Sequence, residues 1–339
     1  LPIWPVGTPP APGPSGPCRE RCACYDARAA MGRIWAIAIN TFREAVRDKV
    51  LYGVLGFAGG VLLLTLALAE LSLHQQRRVV LDVGLASISL FSVVIAIFLG
   101  SSLLYKEIER KTLYVILPKP IRRWEFLLGK YAGIAVTALV FVAIMGAIQL
   151  WVTAVQAGAA PGLVVAVPLV GLATLGVALW RARDRTAVLL PWSLALLAGA
   201  AGLCGSTDAN VGAILAALLL TVGEVLVLGA VALLFSSFST PFLTGALSFG
   251  VWLVGRSADE MATMRTDALG EGVKALLRGL ARVVPNFHLF VPGRHALTAE
   301  GALEGGVGLY LATTLGYGVS YAAVLLLAAA LIFRRRDFL

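Results

Sequence analysis

The sequence predicts an all-α, polytopic helical membrane protein with about eight transmembrane helices, an interfacial elbow helix ahead of the first, and charged helical segments on the cytoplasmic side. Three observations carry that prediction. Apolar residues make up 59% of the chain and charged residues only 14%, against about 45–50% and about 25% in soluble domains. The apolar residues fall in blocks close to the roughly 20 residues a helix needs to cross a hydrocarbon core. The basic residues behind the net charge of +9 lie in the gaps between those blocks. A nucleic-acid-binding protein would gather such residues on one face or helix. Their scatter excludes nucleic acid as a partner and reads as a membrane topology signal.

Residues 1–30 differ from everything after them. They are rich in Pro, Gly and Ala and precede Met31 without an apolar core of the secretory kind. They are expected to form a disordered tail or to lie upstream of the true start, with the membrane domain spanning residues 31–339. Cys18, Cys22 and Cys24 are spaced C-x3-C-x-C with no histidine nearby, which fits no common zinc or iron–sulfur pattern. Cys204, alone in an apolar block, reads as a small packing residue. No metal and no cofactor is expected.

From residue 32 to 49 the chain is amphipathic: Ile34, Ala38, Phe42 and Ala45 share one side, and Arg43, Arg47 and Lys49 another. Such a helix lies in the membrane interface before the chain turns inward; an ordinary lead-in to the first span has the same periodicity. Spans are expected at residues 50–69, 83–105, 131–157, 162–180, 187–204, 211–235, 241–255 and 309–333. Eight crossings leave both ends on one side. Arg43, Arg47 and Lys49 at one end and Arg334, Arg335 and Arg336 at the other make that side cytoplasmic. Residues 256–308 then form an outer loop, in which Val273, Leu276, Leu277, Leu280 and Val284 make an apolar stripe ended by Pro285. The stripe predicts an interfacial helix at the outer mouth.

Between the second and third spans, residues 106–130 form a densely charged run that also carries paired apolar residues. Ile108, Leu113 and Ile116 line one face of a first helical piece; Trp124, Leu127 and Leu128 line one face of a second. Pro118 and Pro120 separate the two by removing donors and disfavouring helix in the preceding residue. Helix, proline elbow, helix describes a hook that sits in water and presses against something. The alternative is a solvated loop whose charge only fixes topology.

Within the spans, Glu224 stands near the middle of the sixth block with no basic residue within a turn. An ionisable residue there lines a water-filled route or is hydrogen-bonded at a helix contact. Glu70 reads as interfacial, Thr65, Gln149 and Gln156 as helix-to-helix ties, and Gly129, Gly133 and Gly146 as close-packing positions. No G-x-x-x-x-G-K-[ST] phosphate loop, H-E-x-x-H helix or G-x-S-x-G elbow occurs in the sequence.

Residues 107–131, EIERKTLYVILPKPIRRWEFLLGKY, closely resemble the cytoplasmic signature of ABC-2 type permeases, in particular the branch that includes the nitrous-oxide-reductase maturation permease. Residues 40–52, NTFREAVRDKVLY, resemble that branch's elbow helix; FSSFSTPF at 235–242 and IFRRRD at 332–337 are similar to its later landmarks. The resemblance implies the membrane subunit of an exporter in the plasma membrane. It would work with two copies of a separate ABC ATPase and beside a second permease copy or a paralogue. Glu107, Glu109, Arg110, Thr112, Pro118, Pro120, Arg122, Glu125 and Lys130 are implied to couple to the ATPase, and Arg43, Glu44, Arg47 and Asp48 to form the elbow. The family pattern has six spans, so the pair at 162–204 is additional. Two other readings stay open: a membrane scaffold or assembly factor that recruits a partner through the same hook, and an ion-gradient-driven carrier using Glu224.

Overall fold

The computed structural model describes residues 18–72, 75–109, 123–182, 184, 186–207, 209–258, 279, 283–291 and 306–335. Among these there are nine long helices and no strand: α1 (Cys18–Arg47), α2 (Lys49–Leu71), α3 (Gln76–Glu109), α4 (Arg123–Gln156), α5 (Pro161–Arg181), α6 (Leu189–Gly205), α7 (Val211–Ser236), α8 (Pro241–Arg256) and α9 (Gly306–Arg335), with a 3-10 turn at Phe287–Phe290.

Local chemistry sets the boundaries. Asp48 leaves helical geometry at φ −74° and ψ 124°, and its carboxylate accepts the Val50 N–H, so α1 stops and α2 is capped at one residue. Asn210 caps α7 in the same way, accepting from the Ala213 N–H at 3.1 Å. Pro161 and Pro241 open α5 and α8, where a missing N–H leaves no helical bond unmade. The tight turn from α4 to α5 passes through Gly158 at φ +76°, a conformation that favours glycine.

All eight apolar blocks are helical, and six of the helices are long and apolar enough to cross a membrane: α2, α3, α4, α5, α7 and α9. The other two are shorter. At about 1.5 Å per residue, the 17 residues of α6 and the 16 of α8 reach roughly 25 Å, less than the ~30 Å of a hydrocarbon core.

Pairwise contacts give the helix directions. Tyr131 Oη donates to the Leu226 carbonyl while Gly146 faces Leu218, so α4 and α7 are antiparallel. Ser89 meets Glu224 and Gly100 meets Ala232, so α3 runs parallel to α7; Gly223 against Leu315 and Gly318 against Val227 put α9 parallel to it as well. The end of α9 therefore lies at the same end of the bundle as the start of α4. The core is centred on α7, α4 and α3, whereas α5 buries only Gly171 along its length.

Two features differ from the sequence expectations. α1 begins at Cys18, so residues 18–30 prolong the elbow helix as helical backbone. The segment at 283–291 does not stay at an outer surface, because Phe287 and Phe290 are fully buried. Gly223 and Gly318, each twelve residues into its helix, lack the Cβ atoms that would fill the Phe290 site, and Gly255 does the same for Phe287. Twelve residues correspond to about 18 Å, so this segment dips deep between α7, α8 and α9. Tyr310 Oη, donating to the Leu289 carbonyl, and Tyr317 Oη, accepting from the Asn286 N–H, hold it there. Of the apolar stripe of the expected interfacial helix, Val273, Leu276, Leu277 and Leu280 lie outside the described residues, and Val284 is half-buried.

Candidate functional site: the strapped elbow

α3 and α4 are each 34 residues long, about 51 Å at 1.5 Å per residue, some 20 Å more than a hydrocarbon core. The surplus carries the charged run between them. Glu107 and Glu109 fall in the last turns of α3. Arg110, Thr112, Pro118, Pro120 and Arg122 lie outside the described residues.

The start of α4 is strapped to α1. Glu125 accepts two hydrogen bonds from one guanidinium, Arg33 Nε at 2.8 Å and Nη2 at 2.9 Å, and is 1% exposed. This fork-to-fork geometry is the strongest form of carboxylate pairing. Five residues on, Lys130 is equally buried, with Nζ 3.8 Å from Glu44 Oε2 and 5.8 Å from the centre of the Phe126 ring. Both charges therefore face α1 rather than the water where a hook surface would place them. The cause is the surface of α4 between them. A Cβ on Gly129 would sit 2.6 Å from Ile37 Cβ, and one on Gly133 would sit 2.5 Å from Thr41 Cβ. Without those atoms α1 lies flat along α4, burying Ala38, Thr41, Phe42, Ala45 and Val46. The stripe read from the sequence is the buried face, and Ile34 is only half-buried at its margin.

The other elbow residues have separate tasks. Arg43 reaches Asp184 in the turn between α5 and α6 at 3.0 Å, Arg47 is exposed, and Asp48 is the cap already described. Sequence reasoning missed Arg33 and Asp184 because the pairs they make are 92 and 141 residues apart in the chain, beyond any periodic signal.

Glu224 is fully buried at the meeting of α3, α7 and α8. It accepts from Ser89 Oγ at 2.8 Å, Trp252 Nε1 at 2.8 Å and Arg256 Nη1 at 3.1 Å. The guanidinium also lies 5.7 Å from the Trp252 ring. Of the two alternatives open for this carboxylate, the geometry is that of a hydrogen-bonded helix contact. Trp252 and Arg256, four apart on α8, are the signal in the sequence, since that spacing puts both on one face.

Of the other expected tie residues, Gln149 bonds to a second helix, its Nε2 donating to the Val80 carbonyl of α3 at 3.1 Å, and Thr65 bonds only within its own, α2. Gly146 seats Leu218. Cys204 is buried in the core. Among the described residues no group of His, Cys, Asp and Glu could hold a metal ion.

A bundle of apolar helices, two of them overrunning the bilayer and one of those, α4, braced at its base by an amphipathic helix, defines a multi-pass membrane protein. The chain belongs to the ABC-2 family of transporter proteins, whose family model matches residues 35–338. It is thus a membrane permease of the ABC transporter class, whose members generally work with ABC ATPase partners. A comparison with curated proteins finds no match.

Proposed function

We propose that the chain is the permease subunit of an ATP-driven exporter in the plasma membrane, with both termini cytoplasmic, working as a pair with a second copy or paralogue and with two ATPase subunits. Residues 106–130 dock in the ATPase, with Glu107, Glu109, Arg110, Thr112, Pro118, Pro120 and Arg122 at the contact. The motif at 107–131 further supports kinship with the nitrous-oxide-reductase maturation branch.

The observation that carries this reading is the strap. With Glu125 and Lys130 tied to Arg33 and Glu44, the base of α4 and the elbow helix form one body, and a displacement of the hook moves both. ATP-driven closure of the partner then shifts the permease between two states in proportion to its differential affinity for them. Glu125 and Lys130 serve in this scheme by transmitting the stroke, not by touching the ATPase. The commitment of Glu224 to three donors counts against a carrier that loads ions on it.

The test is to identify an ABC ATPase among the neighbouring genes and reconstitute it with the chain, measuring ATP hydrolysis with and without the permease. Glu125→Arg and Arg33→Glu should each abolish the permease-dependent change in hydrolysis, and the double exchange should restore it. Single variants that behave as the parent would refute transmission through the strap. Failure of the ATPase to co-purify with the permease would instead favour the scaffold reading.

A further inference from the structure

Away from the strap, α2, α4, α5 and α6 enclose a side groove of about 640 Å³, well within the roughly 300–1,000 Å³ typical of ligand sites. Its floor on α2 is a run of small residues, Gly56, Gly59 and Gly60, and Gly171 lines it from α5. Trp151 and Trp192 also line it. Their ring N–H groups are satisfied by the Val164 and Gly171 carbonyls, so the rings offer the groove only their apolar faces. A void with such walls has no partners for water, and α5, which buries almost nothing, leaves it open toward the membrane. Hydrocarbon is the filling that the surroundings supply.

The two ends of the groove differ. Tyr52, which lines one end, lies a turn beyond Lys49, and Arg47 precedes that lysine by two residues. The Arg43–Asp184 bridge ties the same end of the bundle to the turn after α5, where Arg181 is exposed. At the far end, residues 149–167 of α4, α5 and their turn carry no charge, and the charges around the α2–α3 turn, Glu70, Arg77, Arg78 and Asp82, cancel. A ligand with one anionic group and a long apolar tail complements this asymmetry, and basic pockets between membrane helices take anionic lipid headgroups. We propose that the groove is a binding site for an anionic phospholipid, with an acyl chain against Gly56, Gly59, Gly60 and Gly171 and the phosphate at Arg47, Lys49 and Arg181. The helix pair α5–α6 then serves to make this site. The inference requires only that the helices span a bilayer, and it stands or falls apart from the transport scheme.

The experiment uses the full chain in nanodiscs containing either dibromo-phosphatidylglycerol or dibromo-phosphatidylcholine at equal mole fraction. Bromine quenches tryptophan on contact, and the difference between the parent and Trp192→Phe isolates the Trp192 signal. Phosphatidylglycerol should quench Trp192 with the higher apparent affinity. Lys49→Gln and Arg181→Gln should each lower that preference roughly fivefold. Gly56→Leu with Gly60→Leu should remove most Trp192 quenching by either lipid; both positions have open space for a side chain. Equal quenching by the two lipids, insensitive to the charge variants, would reduce the groove to ordinary annular contact and overturn the proposal. Quenching by neither would mean that a second copy of the chain covers the groove, which overturns it too. The charge variants decide the matter if the leucine variant fails to insert.

Discussion

Arg33→Ala isolates the strap, because it leaves a carboxylate that is 1% exposed without the guanidinium that binds it at 2.8 and 2.9 Å. Removing one partner of a fully buried pair costs about 3–5 kcal/mol. Arg33 is itself 35% exposed, so water can reach part of the vacated space, and the expected loss falls to about 2–3 kcal/mol. Glu125→Ala costs less, about 1 kcal/mol, since the guanidinium left behind can turn to solvent. The double variant should lose less than the two single losses together, with a coupling of about 1–2 kcal/mol. At about 2.1 cal/mol/K of unfolding entropy per residue, a chain of 339 residues shifts its midpoint by about 1.4 °C per kcal/mol. Thermal melting of the detergent-solubilised chain at one fixed scan rate should therefore drop by roughly 3–4 °C for Arg33→Ala. A drop within about 1 °C for Arg33→Ala, together with additive effects in the cycle, would refute the view that this pair braces α1 against α4.

Two further predictions test the packing around it. Gly133→Ala places a methyl 2.5 Å from Thr41 Cβ and 2.9 Å from the Ala38 carbonyl, so α1 must move and the melt should fall by an amount equivalent to about 1–3 kcal/mol. Gly53→Ala, with nothing within 4 Å, should instead be neutral or stabilising by up to about 1 kcal/mol; the same sign for both would overturn the close-approach argument. At the second polar cluster, Arg256→Met leaves the buried Glu224 with only Trp252 and Ser89, a loss of about 2–4 kcal/mol. Glu224→Gln keeps an acceptor for both and should lose about half that. The reverse order in melting temperature would show that the cluster is not held by the ion pair.

Much of the fold was legible because hydropathy acts locally. Each apolar block in the sequence is a helix, and the breaks at Asp48, Pro161, Asn210 and Pro241 follow from cap and proline chemistry confined to a few residues. What could not be read is what each polar side chain meets. Glu125 and Lys130 lie in the most charged run of the chain and read as solvent-facing. Two glycines let another helix cover them, and that cover comes from residues 33 and 44. Glu224 looked isolated because its helix offers no cation within a turn, while the guanidinium arrives from the next helix, 32 residues later. The outer loop misled for a related reason: Phe287 and Phe290 resemble ordinary loop aromatics until glycines on three different helices are seen to vacate room for them.

The break at Asp48 has a mechanical meaning. On one side of this single extended residue lies a helix clamped by ions and close-fitting backbone; on the other, a membrane helix that buries only Ala58, Leu62, Thr65 and Ala69. In the proposed coupling, torque applied at the foot of α4 carries α1 along, while α2 is joined to α1 through one residue's dihedral angles and rests on its own packing against α3 and α4. The covalent seam between those two helices is a knuckle one residue wide.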